Sequence, residues 1–128
     1  GAFGYRVTIT DNNRDALALI EENAAHNKIK NLQITELDWQ NPQLAGPFDM
    51  ICGSELIYKK SNVEPVINII ANMLKPKGTA HLAHDISRMS MMEFLNKAQA
   101  HFHITYKGMS FTGGGQKKQV VIHTIKHK

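Results

Sequence analysis

Hydrophobic and polar positions along this chain alternate between two periods. Residues 5–10, YRVTIT, are a β-branched run with the two-residue spacing of a strand, and Asp11-Asn12-Asn13 stops it. From 13 to 27 the period lengthens: Ala16, Leu17, Ile20 and Ala24 share one helical stripe, and Glu21 and Glu22 lie off it. Asn12 or Asn13 suits the N-cap. Residues 32–37, LQITEL, predict a second strand that ends in Asp38-Trp39. Asn41-Pro42 and Gly46-Pro47 mark a loop, and 48–52, FDMIC, predicts a short buried strand.

A second helix is expected over 62–74, with Val63, Val66, Ile67, Ile70, Met73 and Leu74 on its apolar side and Pro76-Lys77-Gly78 as its stop. Residues 79–84 predict a strand and 89–100 a helix. Two closing strands, 102–106 and 119–125, flank a flexible turn at Gly113-Gly114-Gly115. Strands that alternate with helices in this way build an α/β sheet flanked by helices. Nothing marks a second domain or a repeat, so 1–128 is expected to be a single domain.

Composition narrows the picture. Hydrophobic residues make up 42% of 128, which excludes a disordered or collagen-like chain. No apolar run approaches the ~18 residues of a membrane span, and no signal peptide is recognisable at the start. Cys52 is the one cysteine; it is read as a small buried hydrophobe, and a cytoplasmic setting without a membrane partner is expected. The net charge is +4 with a pI near 9.3. No Lys/Arg stripe demands nucleic acid, and Lys117, Lys118, Lys126 and Lys128 are read as solvated lysines that guard a sheet edge.

In open α/β sheets, ligands bind outside the carboxyl ends of the strands. The residues there are Asp11, Asp38-Trp39, Gly53-Ser54-Glu55 and His84-Asp85. Asp11 has two readings, a carboxylate for a ribose diol or part of a helix-capping cluster. Asp38 also has two, an acceptor for an adenine amino group beside Trp39 or an Asx turn. Glu55 and Tyr58 lie just past a strand end, and one reading makes them a cap for the following segment and a core aromatic. His81 and His84 point to opposite faces of a strand, and no histidine set has metal-ligand spacing, so no metal is expected. Met89, Met91 and Met92 begin a helix and are assigned to core packing.

Several landmarks occur in order: Asp11 after a strand, Asp38-Trp39 after the next, Phe48-Asp49, Glu55-Leu56-Ile57-Tyr58, and Leu74-Lys75-Pro76-Lys77-Gly78 before a further strand. In this the chain resembles class I, seven-β-strand S-adenosylmethionine-dependent methyltransferases. It is most similar to their protein-lysine methyltransferase-like branch, whose motif of Asp or Glu, two residues, then Tyr or Phe is matched by Glu55 and Tyr58. The resemblance implies a Rossmann-like, doubly wound, mostly parallel sheet with an antiparallel C-terminal strand. It implies S-adenosylmethionine as cofactor, with Asp11 and Asn12 at the ribose, Asp38 and Trp39 at the adenine, and Gly53 and Ser54 at the methionine end. Glu55 and Tyr58 would face the methyl acceptor, a protein lysine or a small molecule.

The chain departs from the family at one place. The glycine-rich loop belongs about 20 residues before the ribose-binding acid, which is ahead of Gly1. The expected fold therefore lacks the first strand and most of the first helix. That strand joins the two halves of the sheet, so its neighbours would expose unpaired edges. Either the chain is a truncated piece, or another chain or a domain-swapped copy completes it. A non-catalytic Rossmann-like module for nucleotide binding or assembly, inactive without the glycine-rich segment, is the alternative to an enzyme.

Overall fold

The structure, a computed structural model, describes residues 4–44 and 46–128. It divides into two compact units, Gly1–Leu44 and Ala45–Lys128. No helix of the described residues is long and apolar enough to cross a membrane.

In the first unit β1 (Val7–Asp11) and β2 (Leu32–Glu36) flank α1 (Arg14–His26) in sequence and pair in parallel, from Val7 opposite Leu32 to Asp11 opposite Glu36. The helix starts at Asn13, whose side-chain oxygen accepts the N–H groups of Asp15 at 2.8 Å and Ala16 at 3.2 Å. Those are two of the donors that a helix start leaves without partners. The expected stripe of Ala16, Leu17, Ile20 and Ala24 is half-buried, whereas Leu19 beside it is exposed.

The second unit holds β3 (Phe48–Ser54), α2 (Val63–Met73), β4 (Leu74–Asp85), α3 (Ser90–Ala98), β5 (Phe102–Gly113) and β6 (Gln116–His127). The sheet order is β3-β4-β6-β5. β3 and β4 are parallel, and β6 runs antiparallel to both of its neighbours. In this sheet the C-terminal strand alone is reversed, as the family resemblance implies. Along β4, Gly78, Ala80, Leu82 and His84 are buried at every second position, so one face of the sheet supplies the core. Val63, Val66, Ile67 and Ile70 of α2 and Met91, Phe94 and Ala98 of α3 bury their side chains in the same unit. Burial of each large member, such as Phe94, Phe102 or Leu82, contributes roughly 1.5–3 kcal/mol.

Several local expectations fail for identifiable reasons. The segment 48–52 is not a buried strand. β3 occupies an outer position in its sheet, and Met50 and Cys52 project from the face away from the core, so Met50 is 60% exposed and Cys52 is an exposed thiol. Pro76-Lys77-Gly78 does not follow the helix as a loop. The helix ends at Met73, and these residues lie inside β4, where the register shifts from Phe48 opposite Leu74 to Met50 opposite Thr79. This irregularity accommodates a proline without an N–H. It also brings Gly78 against the sheet so closely that a Cβ there would lie 2.9 Å from the carbonyl oxygen of Asp49.

The closing strands are 12 residues each, longer than the expected 102–106 and 119–125. They meet at Gly114 and Gly115, whose φ values of 57° and 76° make a two-residue hairpin loop of the type I′ kind. β6 is an interior strand and not an edge. Only Lys117 and Lys118 lie where β6 has outrun β4, whose last pair is Asp85 with Val120. The methionines divide: Met91 is buried, whereas Met89 and Met92 are 83% and 63% exposed.

Candidate active site

In the first unit, the two anticipated acids come together at the carboxyl ends of neighbouring parallel strands. Asp11 pairs with Glu36, and the N–H of Leu37 extends the ladder by donating to the Asp11 carbonyl at 3.0 Å. Asp38 follows directly. Each acid forms an Asx turn through one oxygen, Asp11 Oδ1 accepting from the Asn13 N–H and Asp38 Oδ1 from the Gln40 N–H, both at 2.9 Å. The Asx turn expected at Asp38 is present, and Asp11 lies in the turn that leads into the Asn13 cap. The turn engages Oδ1 of each carboxylate. Asn12 is exposed and Trp39 half-buried, and the cap belongs to Asn13.

In the second unit, Gly53, Ser54 and Glu55 end β3 beside the end of its parallel partner β4. The Glu55 N–H donates to the Ala83 carbonyl at 2.9 Å. Glu55 then takes a backbone φ of +54°, in the left-handed region that costs a non-glycine residue about 1–2 kcal/mol. Neighbouring contacts hold it there. Ile57 is fully buried, its carbonyl accepts from the Ser90 hydroxyl, and the buried Asn62 side chain donates to the Leu56 carbonyl at 3.0 Å. Leu56 in turn lies against Gly53, where an added Cβ would collide with its side chain. Gly53 is therefore required for packing under the loop, whatever else approaches its backbone.

The strained turn aims the Glu55 carboxylate across to β4. Its Oε1 accepts the Asp85 N–H at 2.6 Å, and its Oε2 meets Arg88 through Nε at 2.9 Å and a terminal guanidinium nitrogen at 2.6 Å. Partial burial pushes the Glu55 carboxyl up. The Asp85 N–H and the Arg88 guanidinium together outweigh it, and the group lies below the ordinary glutamate range. Glu55 is thus an anion at neutral pH. Asp85 is likewise held down, by the hydroxyl and N–H of Ser87.

Tyr58 is 54% exposed, and the Lys59 ammonium lies 5.6 Å from its ring centroid, so the ring already receives a cation on its face. It is not a core aromatic. Glu55, Tyr58, Asp85 and Arg88 line one open groove of about 1060 Å³. Arg88 escaped the sequence reading; its one signal is its position three residues past the β4 end already singled out.

Behind Asp85, His84 and His123 are buried side by side, with His84 Nε2 3.1 Å from His123 Nδ1. Burial, then the neighbouring His123, push His84 down to about 4. Only one proton fits between the two nitrogens, so the pair excludes the doubly charged state. Among the described residues no group of three or more His, Cys, Asp or Glu side chains could hold a metal ion.

Solved structures share this fold. A protein of Pyrococcus horikoshii OT3 aligns with a TM-score of 0.78 at 12% identity, covering 99% of this chain and 74% of its own. The N-methyltransferase NodS of Bradyrhizobium japonicum WM9, in complex with S-adenosyl-L-homocysteine, aligns at 0.73 and 12%, covering 96% and 67%. A TehB-like SAM-dependent methyltransferase of Corynebacterium glutamicum aligns at 0.70 and 17%, covering 98% and 70%. Identities this low speak for the fold alone. No curated protein sequence matches the chain. The family pattern of the lysine methyltransferases matches residues 2–101. The chain therefore belongs to the lysine methyltransferase family, S-adenosylmethionine-dependent enzymes built on the class I, Rossmann-like fold.

Proposed function

We propose that this protein transfers a methyl group from S-adenosylmethionine to the side-chain amine of a lysine in a protein. The observation that carries the reading is the ionised Glu55, held at the strand end by Asp85 and Arg88 in a groove open to solvent. Asp11 and Asn12 suit the ribose hydroxyls, Asp38 and Trp39 the adenine, and the backbone at Gly53 and Ser54 the methionine end. A carboxylate accepts from hydroxyl and amino donors, and the Asx turns at Asp11 and Asp38 each use one oxygen and leave the other, so the donor chemistry fits the cofactor.

S-adenosylmethionine, when bound, supplies an electrophilic methyl on a sulfonium, which the amine lone pair displaces. The chain's own residues act on the amine. Glu55 draws in the lysine ammonium and orients it, and the Tyr58 ring offers the cation a second face. An ammonium has no lone pair, so its proton must leave first, and water in the open groove can take it. Glu55 is a positioning anion and not a dedicated base, because its depressed pKa makes it a poor proton acceptor.

The test is Glu55→Gln in the full-length protein, with mass spectrometry locating the methylated residue on the acceptor. Turnover should fall by about 100-fold, the scale of one aimed electrostatic contact. Affinity for S-adenosylhomocysteine should stay within a few-fold in that variant and fall in Asp11→Asn. An equal loss of turnover and cofactor affinity in Glu55→Gln overturns the acceptor-side role, and methyl found on a residue other than lysine overturns the acceptor.

A further inference from the structure

The groove beside Glu55 has a charge pattern that its catalytic residues do not explain. Its half-buried floor carries Glu55, Asp85 and Glu93, with Arg88 paired to Glu55 among them. Its rim is basic: Lys59 and Lys60 follow β3 on one side, and Lys118 of β6 approaches closely enough to stabilise the Asp85 carboxylate. Between them Met89 and Met92, both exposed, supply adaptable apolar surface. The wider chain repeats the asymmetry. Of the fifteen Lys and Arg, six lie after Glu93, and none of the eleven Asp and Glu do, so the last 35 residues carry +6 and the first 93 carry −2. By strand alternation, Lys107, Met109 and Phe111 share the Lys118 face of the β5–β6 hairpin, and Met109 and Phe111 are exposed.

We propose that this groove and the adjoining hairpin face dock an acidic protein segment, in which the acceptor lysine is flanked by Asp or Glu. The inference rests on the lysine reading given above and adds the sequence class of the acceptor. A lysine with acidic flanks places its ammonium over the carboxylates of the floor and its own carboxylates at the lysines of the rim. A nucleic acid matches this pattern less well, because a strand that enters the groove brings phosphates towards Asp85 and Glu93 as well as towards the lysines. A basic segment meets the rim with like charge.

The test uses the full-length protein with S-adenosylhomocysteine bound and three fluorescent peptides of equal length. Each has one central lysine, flanked by acidic, by neutral or by basic residues. The acidic peptide should bind about tenfold more tightly than the neutral one at low salt, the scale of a few rim charges acting together. The preference should shrink with added salt. It should be lost in Lys118→Glu and in the Lys59→Glu/Lys60→Glu double variant, with Lys118→Gln as the milder change should a reversal impair folding.

Equal binding of all three peptides, or tighter binding of the basic one, overturns the proposal. So does a single-stranded oligonucleotide that binds more tightly than the acidic peptide and is released by Lys118→Glu. Methylation of the same peptides, read by mass spectrometry, separates the two claims. Lysine methylated without regard to its flanks defeats the docking surface and leaves the lysine reading. Preferential acidic binding with methyl on another residue does the opposite.

Discussion

Acid should loosen the second unit through His84. The side chain is 2% exposed, its Nδ1 has no partner, and its Nε2 is committed to His123. The charged groups that face it are His123 on β6, Glu55 beyond β3 and Arg88 beyond β4. Its pKa falls from 6.5 in the unfolded chain to about 4 in the folded one. Between those values the unfolded chain binds the extra proton. Stability is therefore complete above pH 6.5 and is lost as the pH falls towards 4. From pH 7.5 to pH 5 the loss from this one group integrates to about 2 kcal/mol. His123, also held down by burial, adds in the same direction.

The readout must come from the right unit. Trp39, the single tryptophan, lies in the first unit, so its fluorescence does not report on His84. Hydrogen exchange at the β4 and β6 amides does, and these should open more readily at pH 5 than at pH 7.5 by the stated amount. In His84→Leu most of the difference should vanish, with His84→Gln as a variant that keeps a hydrogen bond to His123. An identical pH response in wild type and both variants would refute the assignment.

Three further outcomes follow from the site. Gly53→Ala should cost about 1–3 kcal/mol, because the new methyl collides with Leu56 under the loop; chemical denaturation measures it. Arg88→Ala should raise the Glu55 pKa by removing its charged partner, so that the acid limb of the turnover profile moves to higher pH, and an unmoved limb would exclude the coupling. Asn62→Ala should cost about 1–3 kcal/mol by leaving the Leu56 carbonyl without its donor, and it should lower turnover as Glu55 relaxes; unchanged activity would show that the loop holds its shape without Asn62.

What the sequence disclosed and what it hid divide along a physical line. Periodicity located the three α-helices and six strands of the described residues, and it missed the 3-10 turn at Lys60–Asn62, which is too short to carry a period. The reversed last strand followed from the family likeness. Signals that depend on sheet position were misread. FDMIC is as apolar as a strand covered on both faces, but Met50 and Cys52 lie on the face away from the core and remain exposed. Pro76-Lys77-Gly78 carries the residues of a loop, yet a register shift against Phe48 and Met50 admits it into β4. At the site, Glu55 and Tyr58 were legible as a local motif four residues long. Arg88, 33 residues from Glu55, was not, since the two meet only through the parallel register of β3 and β4.

The backbone of Glu55 puts stability and chemistry in opposition at a single codon. Glycine would occupy φ +54° without penalty, and asparagine nearly so. A library of this protein screened only for yield or heat resistance should therefore tolerate glycine or asparagine at position 55, where the relieved φ offsets part of what the lost Asp85 and Arg88 contacts contribute. Glutamate should be required only where the screen reads methyl transfer. Enrichment at that one position thus shows which property a selection has rewarded.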